Sequence, residues 1–202
     1  MSTVPFSGSI DVQALAAALQ PILDARYLGQ SAPAPTPTPT PTPVPAGAFW
    51  VYQNGVFAWA GDYSFSTGPI DYANTVGKPG GKCISVPIAS PWGGFQPYAP
   101  GGQFDTRPYK YLTYSLKPTQ PNAVFATGFA AINDVADGSP ITVVGPGLTK
   151  YGPAPQVGVW GTYKIPLADF GLSNPLILKF SVADGTGVKS NQFYLDNIGF
   201  SS

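Results

Sequence analysis

Every second residue from 33 to 45 is proline, in the run Pro-Ala-Pro-Thr-Pro-Thr-Pro-Thr-Pro-Thr-Pro-Val-Pro. Proline fixes its own φ and drives the residue before it out of the α region, so no helix passes through this stretch. It also deletes every second amide donor, which rules out a central strand. What remains is polyproline II, a stiff solvated rod of about 3.1 Å per residue and so about 40 Å long. A rod of this kind holds two bodies apart. It divides the 202-residue chain into residues 1–32, 33–45 and 46–202.

The first part reads as a short helical anchor. Ser9 suits a helix N-cap, and Asp11 in the first turn complements the helix dipole. Val12, Leu15, Leu19 and Ile22 recur at spacings of three and four, which places them on one apolar stripe. Pro21 ends or kinks the helix near Gln20, and Gly29 is a natural stop. The first nine residues contain no Lys or Arg, and the apolar run is broken by Gln13, Gln20, Pro21 and Asp24, unlike a secretion signal. Nor is the run long enough to span a bilayer. A stripe without a core of its own is expected to dock into a larger assembly or to self-associate, with a homotrimer as one form.

Beyond the rod the composition changes to that of a turn-rich β protein. Over the whole chain aromatics reach 13%, Gly and Pro contribute 24 residues each, and charged residues are only 10%. Short period-two stretches are expected as strands at 48–53, 56–60, 82–88, 109–117, 123–132, 141–144, 156–165, 176–183 and 192–200. Asn54-Gly55 between the first two is a strong hairpin signal. In 109–117, alternation sets Tyr109, Tyr111, Thr113 and Ser115 on one face and Lys110, Leu112, Tyr114 and Leu116 on the other. Residues 166–170 suit a single helical turn. Many short strands without a true helix imply an all-β antiparallel sandwich, most simply a jelly roll.

Absences narrow the chemistry. The chain has no histidine, its ten acidic residues are all aspartate, and its net charge is zero. Without imidazole there is no Ser-His-Asp or Cys-His nucleophile pair and no zinc site built on histidine. Paired aspartates could serve glycoside hydrolysis, but these lie mostly in turn contexts such as Asp137-Gly138 and Asp184-Gly185, where local hydrogen bonding is the usual task. The expectation is a non-enzymatic protein. Zero net charge disfavours nucleic acid and anionic membranes as partners. The single cysteine, Cys83, reads as a small buried hydrophobe.

Three stretches resemble a known class of domain. The closing run Asn-Gln-Phe-Tyr-Leu-Asp-Asn-Ile-Gly-Phe (191–200) resembles the last strand of jelly-roll carbohydrate-binding modules. Trp-Gly-Thr-Tyr-Lys-Ile-Pro-Leu-Ala-Asp-Phe (160–170) and Tyr-Lys-Tyr-Leu-Thr-Tyr-Ser-Leu-Lys (109–117) resemble a tryptophan-led strand and an early inner strand of the same modules. The resemblance covers about residues 57–200 and speaks for the fold more than for a ligand. It also implies a structural calcium held by Asp196, with Asp62 or Asp71 as a second carboxylate; no other cofactor is called for.

Sugar recognition needs flat apolar rings and planar polar groups. The loop at 91–98 supplies Trp92, Phe95, Gln96 and Tyr98 together, and Trp92 and Tyr98 are the foremost candidates. Trp59, Asp62 and Tyr63 form a second cluster after the hairpin, with Trp59 and Tyr63 offered to a ligand. Asn133 and Asp134 follow the 123–132 strand at an expected rim, and Tyr151 is a lesser rim residue. Trp50 and Trp160 are assigned to the core. Joined together, the three parts describe a glycan- or polysaccharide-binding head on a rod with a docking end. Lacking a secretion signal, the expected setting is a bacteriophage virion surface, as a head fibre, decoration or tail-associated protein seated on a capsid or tail protein through residues 1–32. The alternatives are a purely structural decoration protein and a module of a secreted polysaccharide-degrading system.

Overall fold

The structure, a computed structural model, describes residues 47–78, 80–187 and 192–202. The helical anchor with its stripe Val12, Leu15, Leu19 and Ile22, and the proline rod, lie outside the described residues. Fourteen strands follow in order: β1 (Phe49–Gln53), β2 (Val56–Phe57), β3 (Gly61–Asp62), β4 (Asp71–Asn74), β5 (Cys83–Pro87), β6 (Gly94–Phe95), β7 (Pro97–Tyr98), β8 (Phe104–Asp105), β9 (Tyr111–Pro118), β10 (Phe125–Ala131), β11 (Ala136–Val144), β12 (Gly161–Pro166), β13 (Leu176–Asp184) and β14 (Gln192–Ser201). A 3-10 turn at Leu167–Phe170 stands where one helical turn is expected. All pairings are antiparallel.

The strands form two sheets that face each other, as the sequence leads one to expect. In the first, the order is β12-β9-β14-β1-β2, with β5 also on β14 and β4 on β5. In the second, it is β11-β10-β13-β7-β3, with β6 and β8 also on β13. The alternation in β9 holds: Leu112, Tyr114 and Leu116 are buried completely, and the opposite face is polar. The Asn54-Gly55 turn has positive φ at both residues, 47° and 91°, as a twisted two-residue hairpin requires. Apolar side chains from both inner faces fill the space between the sheets, each contributing about 1.5–3 kcal/mol on burial. The Tyr114 hydroxyl and Thr127 Oγ1 hydrogen-bond across that interior at 3.0 Å, so each satisfies the other.

Several expectations are corrected. The 156–165 strand begins only at Gly161, because Gly158 sits at φ 74° in a turn and Pro153 and Pro155 withhold amide donors. The second hairpin strand stops at Phe57. Trp59, expected at a ligand, is 2% exposed and packs among Phe104, Phe180 and Phe200 with ring centroids 5.4–6.2 Å away. Phe95, also expected at a ligand, points inward from β6 and is fully buried. Trp50, assigned to the core, faces solvent across Gly199, and Trp160 is only half buried. The cause for Trp50 is a bulge between Trp50 and Tyr52, which puts Val51 and Tyr52 both inward and reverses the parity before them.

Candidate functional site

The site follows from what the second sheet leaves on its outer face. Along β10 the residues Phe125, Thr127 and Phe129 point into the sandwich, so Ala126, Gly128 and Ala130 point out. Along β13 the core takes Phe180 and Val182, leaving Lys179, Ser181 and Ala183 outside. Register then lines these up in rows across the strands. One row is Thr142, Ala126, Ala183 and Gly94, continued by the bridge to Phe65. The next pairs Gly128 with Ser181, and Pro140 lies against Gly128. A third runs Ala136, Ala130, Lys179, Tyr98 and Gly61.

The first two rows are built almost wholly from Gly, Ala, Ser, Thr and Pro, and they form a low floor. Gly94 has to be glycine, since a Cβ there would lie 2.8 Å from Ala183. Four strands at about 4.8 Å spacing make the floor about 14 Å long across the sheet.

The third row stands up as a ridge. Tyr63 and Tyr98 lie ring against ring at 4.8 Å, tilted by 32°. The Lys179 ammonium sits 5.6 Å from the Tyr63 ring centre and bonds Asp134 Oδ1 at 2.6 Å. Its side chain is only 15% exposed, so it is held as part of the wall rather than waving in solvent. Asp134 sits at φ 62°, in the left-handed region, in a turn closed by its own N–H to the Ala131 carbonyl and by Val135 N–H to Asn133 Oδ1. Asn133 thus makes the local turn bond, while Asp134 reaches the ridge.

Opposite the ridge stands Trp92. It is 61% exposed, also has positive φ (65°), and lays its ring on Gly187, where a Cβ would come within 3.1 Å of it. Gly93 anchors this turn by accepting the Asp184 N–H. Lys179 and Ala183 are four residues apart, about 13 Å of extended strand, and Gly187 lies beyond them. Trp92 and Tyr98 therefore lie toward opposite ends of β13, not side by side.

Of the residues expected at a ligand, Tyr63, Tyr98 and Asp134 stand on this ridge, Gln96 is half buried between Phe95 and Pro97, and Trp92 is exposed beside Gly187. Trp59 and Phe95 lie beneath it in the core. Tyr151 lies elsewhere, beside β12, where its carbonyl accepts the Lys164 N–H. Lys179, Ser181 and Phe65 were missed. The alternation Lys-Phe-Ser-Val-Ala in 179–183 carried the signal for the first two; Phe65 is placed by a single bridge and had none.

The three aspartates named for calcium do not converge. Asp62 Oδ1 takes the Ser64 N–H, and Asp71 takes the Ala73 N–H and the Asn74 side-chain amide. Asp196 carries the Asn54 N–H at 3.0 Å on Oδ1 and the Lys78 ammonium on Oδ2. Calcium asks for six to eight oxygens, and among the described residues no three His, Cys, Asp or Glu side chains gather to hold a metal. Both oxygens of Asp196 are thus engaged by protein donors.

Searches against family models and against curated proteins return no match. Solved structures do. The family 11 carbohydrate-binding module of the cellulosomal cellulase Lic26A-Cel5E of Clostridium thermocellum superimposes with a TM-score of 0.50 at 19% identity, covering 78% of this chain and 95% of that one. The fold is that of a carbohydrate-binding module. The family 11 module of Clostridium thermocellum in complex with a β-1,3-1,4-mixed-linked tetrasaccharide gives 0.52 at 21% identity, over 78% of this chain and 96% of that one. A variant of the family 29 module CBM29-2 complexed with mannohexaose gives 0.54 at 11% identity, over 78% and 92%.

Proposed function

We propose that residues 46–202 are a non-catalytic module that binds an extended, uncharged polysaccharide along the outer face of the second sheet. The observation that carries this reading is the surface itself: a floor of small residues about 14 Å long, with Tyr63, Tyr98 and Lys179 raised on one side and Trp92 exposed toward the far end of β13. Rings present flat faces to the C–H side of a pyranose. Gln96, Ser181, Lys179 and Asp134 offer donors and acceptors to its hydroxyls. Lys179 and Asp134 neutralise each other, so the groove has no net charge to favour an acidic chain.

The likeness to modules complexed with a mixed-linked glucan tetrasaccharide and with mannohexaose supports β-linked gluco- and manno-oligosaccharides as the first ligands to try. The family 11 neighbour belongs to a cellulosomal cellulase, and that supports an extracellular polysaccharide-degrading setting over display on a virion. In that setting the 33–45 rod spaces the module from whatever residues 1–32 engage.

The test is isothermal titration of the full chain with mixed-linkage β-glucan and β-mannan oligosaccharides, beside Tyr98→Ala and Trp92→Ala variants. Binding weakened at least tenfold by Tyr98→Ala is expected. Absence of binding to every neutral glycan tried, or binding indifferent to both substitutions, overturns the reading.

A further inference from the structure

Asp196 is the carboxylate that most needs a cation. It points outward from the first sheet, yet its side chain is 2% exposed, with Lys78 from between β4 and β5 and Asn54 from the β1–β2 turn against its carboxylate. An isolated buried carboxylate is costly, and a protein offsets it with a metal or with an organic cation. Here the second solution is built in detail. The Lys78 ammonium bonds Asp196 Oδ2. A second ammonium, Lys117 Nζ, donates to the Gly77 carbonyl at 2.8 Å, one residue away. Asn74 Oδ1 accepts the Gly77 N–H at 2.8 Å, and Asn54 Oδ1 accepts the Lys82 N–H at 2.8 Å. Gly77 itself is pressed so close to Tyr194 that a Cβ would sit 2.4 Å from the ring.

We propose that Lys78 is a tethered counter-cation for Asp196, doing the cross-linking work of a divalent ion so that this domain folds without one. A metal joins loops by collecting oxygens from each of them. Asp196 joins the same kind of elements, the β1–β2 turn through Asn54 and the β4–β5 segment through Lys78, using an amide and an ammonium. The pair is neutral, so calcium at this position would first have to displace Lys78 and would then face Lys117 as a like charge. Being covalently part of the chain, the cation is not lost on dilution or to a chelator.

The experiment is thermal unfolding of the full chain, which needs no glycan, so its outcome is independent of the binding proposal. Wild-type Tm is expected to agree within about 1 °C in EDTA and in millimolar calcium chloride, since a ligand that does not bind the native state leaves Tm unmoved. A saturable rise with calcium that magnesium at equal ionic strength does not reproduce overturns the proposal. Lys78→Met is expected to lower Tm by several degrees, because it leaves a buried charge unpaired. Adding Asp196→Asn to Lys78→Met is expected to restore most of that loss. If Lys78→Met does not fold, recovery in the double variant still reads the coupling. A double variant no more stable than Lys78→Met, or a Lys78→Met as stable as wild type, sinks the assignment.

Discussion

Gly128 offers the cleanest way to fill the groove without harming the fold. It lies mid-floor, paired with Ser181 across the ladder, and a Cβ built there would meet only the Pro140 ring, at 3.3–3.7 Å. That contact is tight but movable, a shift of a few tenths of an ångström in an exposed ring. Against it stands the gain from replacing glycine in a strand interior, about 0.5–1 kcal/mol. The two nearly cancel, so Gly128→Val should keep Tm within about 3 °C of wild type. Binding is a different matter. The new side chain raises the floor, and a gap of only about 0.5–1 Å between a sugar and its ring forfeits a quarter to a half of each contact's attraction. For a site with a Kd of about 0.1 mM, or about −5.5 kcal/mol, a quarter is about 1.4 kcal/mol and a half about 2.7 kcal/mol. Titration with the ligand found above should therefore show Kd weakened by about 10- to 100-fold at unchanged Tm. Unchanged affinity in a folded Gly128→Val protein would mean that the glycan does not run over this floor.

Trp59→Ala separates a core role from a ligand role: removing a buried tryptophan costs about 3–5 kcal/mol, so Tm should fall by about 10 °C or more while Kd, measured well below that Tm, stays as in wild type. Asp137 gives a pH signature. Burial would push its carboxyl up, but the Ser173 hydroxyl and the Ser173 and Asn174 N–H groups outweigh that and hold it below the usual range. A carboxyl depressed in the folded state stabilises the protein above its unfolded value of about 3.9, and that stabilisation is lost as pH falls through the folded value. The acid limb of Tm against pH below about pH 4 should thus be steeper in wild type than in Asp137→Asn, and parallel limbs would refute the role. Finally, burial pushes the Cys83 thiol up to about 11, so a thiol reagent at neutral pH should label it slowly in the native protein and at once in denaturant.

What could be read from the sequence, and what could not, divides along physical lines. Strands with their own signal were legible: β10, β13 and β14 are long and largely apolar, and the Asn54-Gly55 turn follows from backbone geometry alone. The pieces β6, β7 and β8 are two residues each and exist because β13 offers them partners; Gly94-Phe95 and Pro97-Tyr98 carry no period of their own inside a stretch rich in glycine and proline. The tryptophans were sorted wrongly for a related reason. Trp50 sits before a bulge that alternation cannot foresee, and Trp59 lies in a segment whose neighbours arrive from β8, β13 and β14. For the aromatic candidates at 92 and 98, only register shows that they lie toward opposite ends of β13 and not side by side.

The course of β14 bears on how the domain comes to be made. It pairs with β9 along one side and with β1 and β5 along the other, so the first sheet is assembled around a strand that leaves the ribosome after all the others described here. Until then β1 and β5 have no partner at their inner edges, and their pairing waits on contacts between residues as far apart as Phe49 and Phe200. The hairpins β1–β2 and β10–β11 can form before β14 arrives; the first sheet cannot. Folding should accordingly be slow, as expected for a chain dominated by distant pairings.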